Sequence, residues 1–133
     1  MCSIPAKEFP ASHPSLQTRS LPIRMVRDVE GIALSVDGTV RTPDGMAWME
    51  LDTGNGGSIV IANHIASLVG LTPDLSTPTA ANFYLGNGIR VSGMARTRDL
   101  IMDGNIGAQF LNQWILTLDL LHGRAWMSPV QSD

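Results

Sequence analysis

Cysteine is all but missing. Cys2 stands alone among 133 residues, so no intrachain disulfide can form. A thiolate zinc cluster, which takes two or more cysteines, is excluded with it. Lysine is equally scarce: Lys7 is the only one, and the arginines lie scattered from Arg19 to Arg124. With a net charge of −3, no basic patch can be read for a nucleic-acid partner. His13, His64 and His122 have no metal-ligand spacing, so neither a metal nor another cofactor is expected. No apolar run approaches the roughly 20 residues of a membrane-spanning helix, and no membrane partner is expected. The first ten residues lack the apolar stretch of a signal peptide, so any export signal lies outside this sequence and the compartment stays open.

What is present is the composition of an ordinary folded domain. Hydrophobic residues make up 44% and charged residues 16%, too apolar for a disordered chain and enough for a single core. Residues 1–20 carry Pro5, Pro10 and Pro14 without periodicity and read as an extended arm or linker. From Leu21 to residue 130 the pattern becomes short runs separated by turn signals. Residues 31–36 read as a strand closed by Asp37-Gly38, and 46–51 as another after the turn at 42–45. Residues 82–85 and 89–91 flank Gly86-Asn87-Gly88, a strong hairpin signal. Strands are also expected at 94–102, 114–119 and 125–127. Ile61, Ile65, Leu68 and Val69 have helical spacing with Gly70 as C-cap, and 108–113 has room for a turn or two of helix. No internal repeat is visible.

The chemistry-bearing feature is Leu51-Asp52-Thr53-Gly54, directly after a strand, with Ser58 beyond it. Some fifty residues on comes Asp103-Gly-Asn-Ile-Gly-Ala-Gln-Phe-Leu111, and then the 114–127 hairpin. The tripeptide resembles the Asp-Thr-Gly signature of aspartic peptidases. The ordered set, from about Leu21 to Pro129, resembles the retropepsin-like family and the closing hairpin of its bacterial members. The resemblance implies an all-β, pepsin/retropepsin-like lobe with one or two short helices. It implies Asp52, Thr53 and Gly54 as the catalytic loop, crossing Ile106 and Gly107 in a ψ-shaped arrangement. One lobe supplies one aspartate, so a homodimer or a second lobe is implied, with a polypeptide as substrate. Two nearby carboxylates then share one proton and hold the attacking water. Thr53 would bond across the two-fold axis.

The chain departs from the family pattern at four places. Asn55 replaces the usual Ser or Ala, with an amide able to donate to the outer oxygen of Asp52. Asn105 replaces an apolar residue and needs a polar partner. Glu50, two residues before Asp52 and so on the same side of a strand, stands where relatives carry an apolar pocket wall. It reads either as a solvated strand-end carboxylate or as a pocket group favouring a basic substrate residue. Asn55 and Ser58 are further candidates for substrate contact. Finally, residues 72–81 are too few for the hairpin flap of active enzymes, which makes the chain resemble a C-terminal lobe of a two-lobed enzyme.

Two other classes can be weighed against this one. Gly54-Asn-Gly-Gly-Ser58 before a helix is superficially a phosphate cradle, but no lysine lies near it and the downstream chain is hairpins. A Glu50/Asp52 glycosidase pair leaves Asp-Thr-Gly unexplained and lacks an aromatic rim. The closer rival is a non-catalytic peptide-binding or dimerisation module of the same fold. His64 is expected on a helix surface, His122 in a turn, and Trp48, Trp114 and Trp126 in packing.

Overall fold

The computed structural model describes residues 19–27 and 34–130. Most of the expected N-terminal arm, 1–18, lies outside the described residues, as does part of the expected strand at 31–36. Among the described residues, nine strands form one sheet in the order β5-β6-β4-β7-β3-β2-β1-β9-β8. They are β1 (Leu21–Arg27), β2 (Leu34–Thr42), β3 (Gly45–Leu51), β4 (Ile59–Ala62), β5 (Thr79–Tyr84), β6 (Arg90–Arg98), β7 (Gly104–Ile106), β8 (Trp114–Asp119) and β9 (Arg124–Pro129). A 3-10 helix occupies Asn63–Val69, and one short α-helix, α1, occupies Ala108–Leu111.

The turn at 42–45 forms where Pro43 and Asp44 precede Gly45, and it joins β2 to β3 as an antiparallel pair from Thr42↔Gly45 to Asp37↔Glu50. Gly86-Asn87-Gly88 likewise joins β5 to β6. Asp37-Gly38 is not a turn: β2 runs straight through it. Gly38 packs under Leu21 and Leu51, where a Cβ would come 3.2 Å from the Leu21 side chain, and Asp37 pairs with Arg24 at 3.2 Å. The glycine marks a close approach between side chains and not a reversal. Of the strand expected over 94–102, residues 94–98 continue β6 without a break and 99–102 lie beyond its end at Arg98. The helix expected over 61–69 starts later, because Ile59–Ala62 pairs with both β6 and β7 as a strand, and the remaining seven residues wind as 3-10 before Gly70.

The core follows from these pairings. Leu21, Val40, Met49, Ile61, Leu85, Ile106 and Met127 are fully buried, contributed by segments from β1 to β9. At its centre β7 lies between β3 and β4, parallel to the first and antiparallel to the second. Strands β3 and β4 are consecutive in sequence, so the loop 52–58 joining them must pass around the end of β7. That is a ψ crossing.

The middle strand has room only because of Gly104. A Cβ there would sit 2.8 Å from the carbonyl oxygen of Val60 and 3.0 Å from the Met49 sulfur. Gly104→Ala is expected to destabilise the fold by about 1–3 kcal/mol through overpacking. Gly56→Ala, which meets nothing within 4 Å, should stay within about 0.5 kcal/mol of the parent. Urea unfolding of both variants measures the difference; equal midpoints would contradict this account of the crossing.

Candidate active site

Strand β3 alternates, with Ala47 and Met49 buried and Trp48 and Glu50 on the other face. Asp52 follows the strand end but stays tied to the sheet, its N–H donating to the Ile106 carbonyl at 2.9 Å. The chain then turns tightly. Gly54 N–H donates to Asp52 Oδ1 at 2.9 Å, and Asn55 N–H to the Asp52 carbonyl at 3.2 Å. Across the crossing, Ala108 N–H donates to the Asn55 carbonyl at 2.7 Å. A Cβ on Gly107 would collide with that same Asn55 oxygen, so the loop and the start of α1 can touch only over a glycine. Ile106 and Gly107 thus lie directly against the aspartate loop.

Asn55 does not reach Asp52. Its amide donates to the Ser58 carbonyl at 3.2 Å and to Asn105 Oδ1 at 2.9 Å. The donor to Asp52 Oδ2 is Asn105, through Nδ2 at 2.9 Å. The polar group that looked misplaced beneath the site therefore has both its partners there. Its position was readable in principle: once β3 and β7 run in parallel, Glu50 faces Asn105 and Asp52 lies one step beyond Ile106.

Asp52 and Thr53 lie on a groove of about 480 Å³. Its apolar walls are Leu34 and Val36 of β2, Leu111 of α1, and Trp114, Leu116 and Leu118 of β8. Trp114, expected only to pack, is thus a groove residue; Trp126 is buried, and Trp48 lies under the Arg24 guanidinium at 4.5 Å. Glu50 lines the same groove. Ser58 and Asn55 instead face a separate cleft of about 240 Å³ with Arg96 and Arg98.

Glu50 belongs to a polar row running across four strands, Arg24↔Asp37↔Glu50↔Asn105. Arg24 pairs with Asp37, which leaves Glu50 without a cation of its own among the described residues. Partial burial, then the neighbouring charges of Asp52 and Asp37, hold its carboxyl above the usual glutamate range.

Neither residues 72–75 nor the Gly86-Asn87-Gly88 turn lines the groove. Residues 72–75 are fastened to β6, with Thr97 Oγ1 donating to the Thr72 carbonyl at 2.6 Å and accepting Leu75 N–H at 2.7 Å. The Gly86-Asn87-Gly88 turn is docked on β2: Gly86 N–H donates to the Thr39 carbonyl at 2.8 Å, and Asn87 is buried. His64 and His122 are exposed as expected, each 2.8 Å from a carboxylate, of Asp103 and Asp119 respectively.

No family profile matches this chain, and no curated protein matches it in sequence. Among solved structures it is similar to the crystal structure of a retropepsin-like aspartic protease from Rickettsia conorii, with a TM-score of 0.51 and 12% identity over 85% of this chain and 97% of that one. At such identity the likeness speaks for architecture. The chain has a retropepsin-like all-β fold with two short helices.

Because Glu50 binds its proton more tightly folded than unfolded, its ionised form costs stability at neutral pH. That cost is relieved as pH falls through the raised value toward the ordinary glutamate range. Glu50→Gln should therefore be more stable than the parent at pH 7, with the gap closing in the weakly acidic range. Urea midpoints across that range test it, and a variant less stable at pH 7 would contradict it.

Proposed function

We propose that the chain is an aspartic endopeptidase lobe with Asp52 as its catalytic carboxylate and a partner lobe supplying the second. The observation that carries this is the Asp52 carboxylate, held by a donor on each oxygen at the edge of an apolar groove. The retropepsin-like fold supports it. With two lobes face to face, one carboxylate takes a proton from the shared water while the other donates its proton to the peptide carbonyl oxygen. The water oxygen bonds to the carbonyl carbon, and the tetrahedral diol then collapses. Its C–N bond breaks as a carboxyl proton passes to the leaving nitrogen. No metal enters this scheme.

Glu50 is proposed to favour a basic residue next to the scissile bond, because an unneutralised carboxylate in an apolar groove suits a long aliphatic stem ending in a cation. Asn55 and Ser58 face the other cleft, so any substrate contact from them would lie outside this groove.

A non-catalytic peptide-binding or dimerisation module is the second reading. It is favoured by the docking of Gly86-Asn87-Gly88 on β2 and the fastening of 72–75 to β6, which leave the groove without a cover from either segment.

Hydrolysis of peptides at mildly acidic pH separates the two. The catalytic reading expects Asp52→Asn to abolish turnover with folding intact, and lysine beside the cut bond to be preferred over norleucine most clearly toward neutral pH, where Glu50 is ionised, in a way that Glu50→Gln removes. An Asp52→Asn chain that still cleaves would rule Asp52 out as the catalyst; a parent that cleaves nothing would leave the binding module.

Assembly is tested at Thr53, which is exposed in the single chain. If its hydroxyl bonds across a two-fold axis, Thr53→Val removes two such bonds per dimer and leaves their partners unsatisfied, each loss costing about 1–3 kcal/mol. Self-association should then weaken by about 25-fold or more, while Thr53→Ser stays close to the parent. Sedimentation equilibrium reads this directly, and an unchanged dimer constant in Thr53→Val would remove the cross-lobe role.

A further inference from the structure

The contacts around Asp52 form a chain with a direction. It starts at a backbone group: Gly57 N–H donates to Asn55 Oδ1 at 2.9 Å. That contact decides which end of the Asn55 amide is oxygen, so its Nδ2 must face Ser58 and Asn105. Asn55 Nδ2 then donates to Asn105 Oδ1 at 2.9 Å, which in turn decides the Asn105 amide. Its Nδ2 is left to donate to Asp52 Oδ2 at 2.9 Å. Turning either amide over would set oxygen against oxygen at one link and N–H against N–H at the other. The Asn55 amide also lies against Gly107, where a Cβ would come 3.0 Å from its Cγ and Nδ2.

We infer that Asn105 is a positioning residue that holds the plane of the Asp52 carboxylate, and that Asn55 acts on Asp52 only through Asn105. Gly54 N–H on one oxygen restrains rotation of the carboxylate about its last bond only in part; a second donor on the other oxygen fixes its plane. The second donor comes from β7, not from the aspartate loop, so the carboxylate is fixed relative to the strand it crosses. Neither asparagine needs to touch substrate. The kinetic part of the test below rests on Asp52 being the reacting group, whereas the spectroscopic part rests on the geometry alone.

The spectroscopic part uses the nitrogen-15-labelled full chain. The Asn105 side-chain amide proton bonded to Asp52 should resonate downfield and move upfield in Asp52→Ala. The Asn55 amide signal should move in Asn105→Ala. The kinetic part compares Asn55→Ala, Asn105→Ala and the double variant. Asn105→Ala should lower kcat about tenfold to a hundredfold, the order expected for a misplaced reacting group, with KM little changed. The double variant should be no slower than Asn105→Ala, since both act along one path. Urea midpoints taken alongside exclude simple unfolding as the cause. Losses that multiply in the double variant, an unchanged kcat in Asn105→Ala, or an Asn105 signal indifferent to Asp52→Ala would each overturn the inference. If the chain cleaves no peptide, the proposed peptidase activity falls and the amide signals alone decide this proposal.

Discussion

The whole arrangement depends on placing β7 between two strands that are neighbours in sequence. Once Gly104–Ile106 lies between β3 and β4, the 52–58 loop has no direct path and must arch over the end of the intruding strand. Backbone bonds on both sides of the crossing, from Asp52 to Ile106 and from Ala108 to Asn55, hold that arch against the sheet. The two glycines of the second segment carry the steric burden, since Gly104 lies between Met49 and Val60 and Gly107 lies against Asn55. A loop that would otherwise be a mobile connection becomes a rigid shelf for one carboxylate.

The same crossing determines the electrostatics. Strand register lines up Arg24, Asp37, Glu50 and Asn105 on one face of four adjacent strands. The row begins with a cation paired to a buried Asp37 and ends in an amide that turns its donor toward Asp52. Glu50 sits between them with two acidic neighbours, which is why burial and repulsion act on it in the same direction. Such a row contributes little as separate surface pairs. Its effect is on which face of the loop presents negative charge.

Much of this was legible in the sequence wherever the signal was local. Pro43-Asp44-Gly45 and Gly86-Asn87-Gly88 mark their hairpins by turn chemistry alone, whereas the crossing of 52–54 with 106–107 was expected only from the family resemblance and not from any local signal. What was not legible depends on partners far along the chain. Strand β1 has only Leu21 and Ile23 facing inward, around Pro22, and it becomes a strand because β2 and β9 both pair with it. Gly38 has the look of a turn until Leu21 and Leu51 are seen to close over it. Asn105 looked like a defect for the same reason: its two partners, Asn55 and Asp52, are 50 and 53 residues away.

The docked Gly86-Asn87-Gly88 turn has a consequence for how the groove exchanges with solvent. Arg41 donates to the Gly86 carbonyl at 3.2 Å, and Leu85 bridges to Val40, so with Thr39 three consecutive residues of β2 hold this hairpin tip. Lifting it would break backbone bonds and expose the fully buried Leu85. Entry to the groove therefore waits on no movement of that tip, and among the described residues neither this turn nor 72–75 lines it. In water the attraction between charges is weak, and the field around Asp52 gains strength only when something displaces that water. Under the proposed two-lobed reading, a ligand or an opposing lobe would displace that water, and the arrival of a partner would be an electrostatic event as much as a steric one.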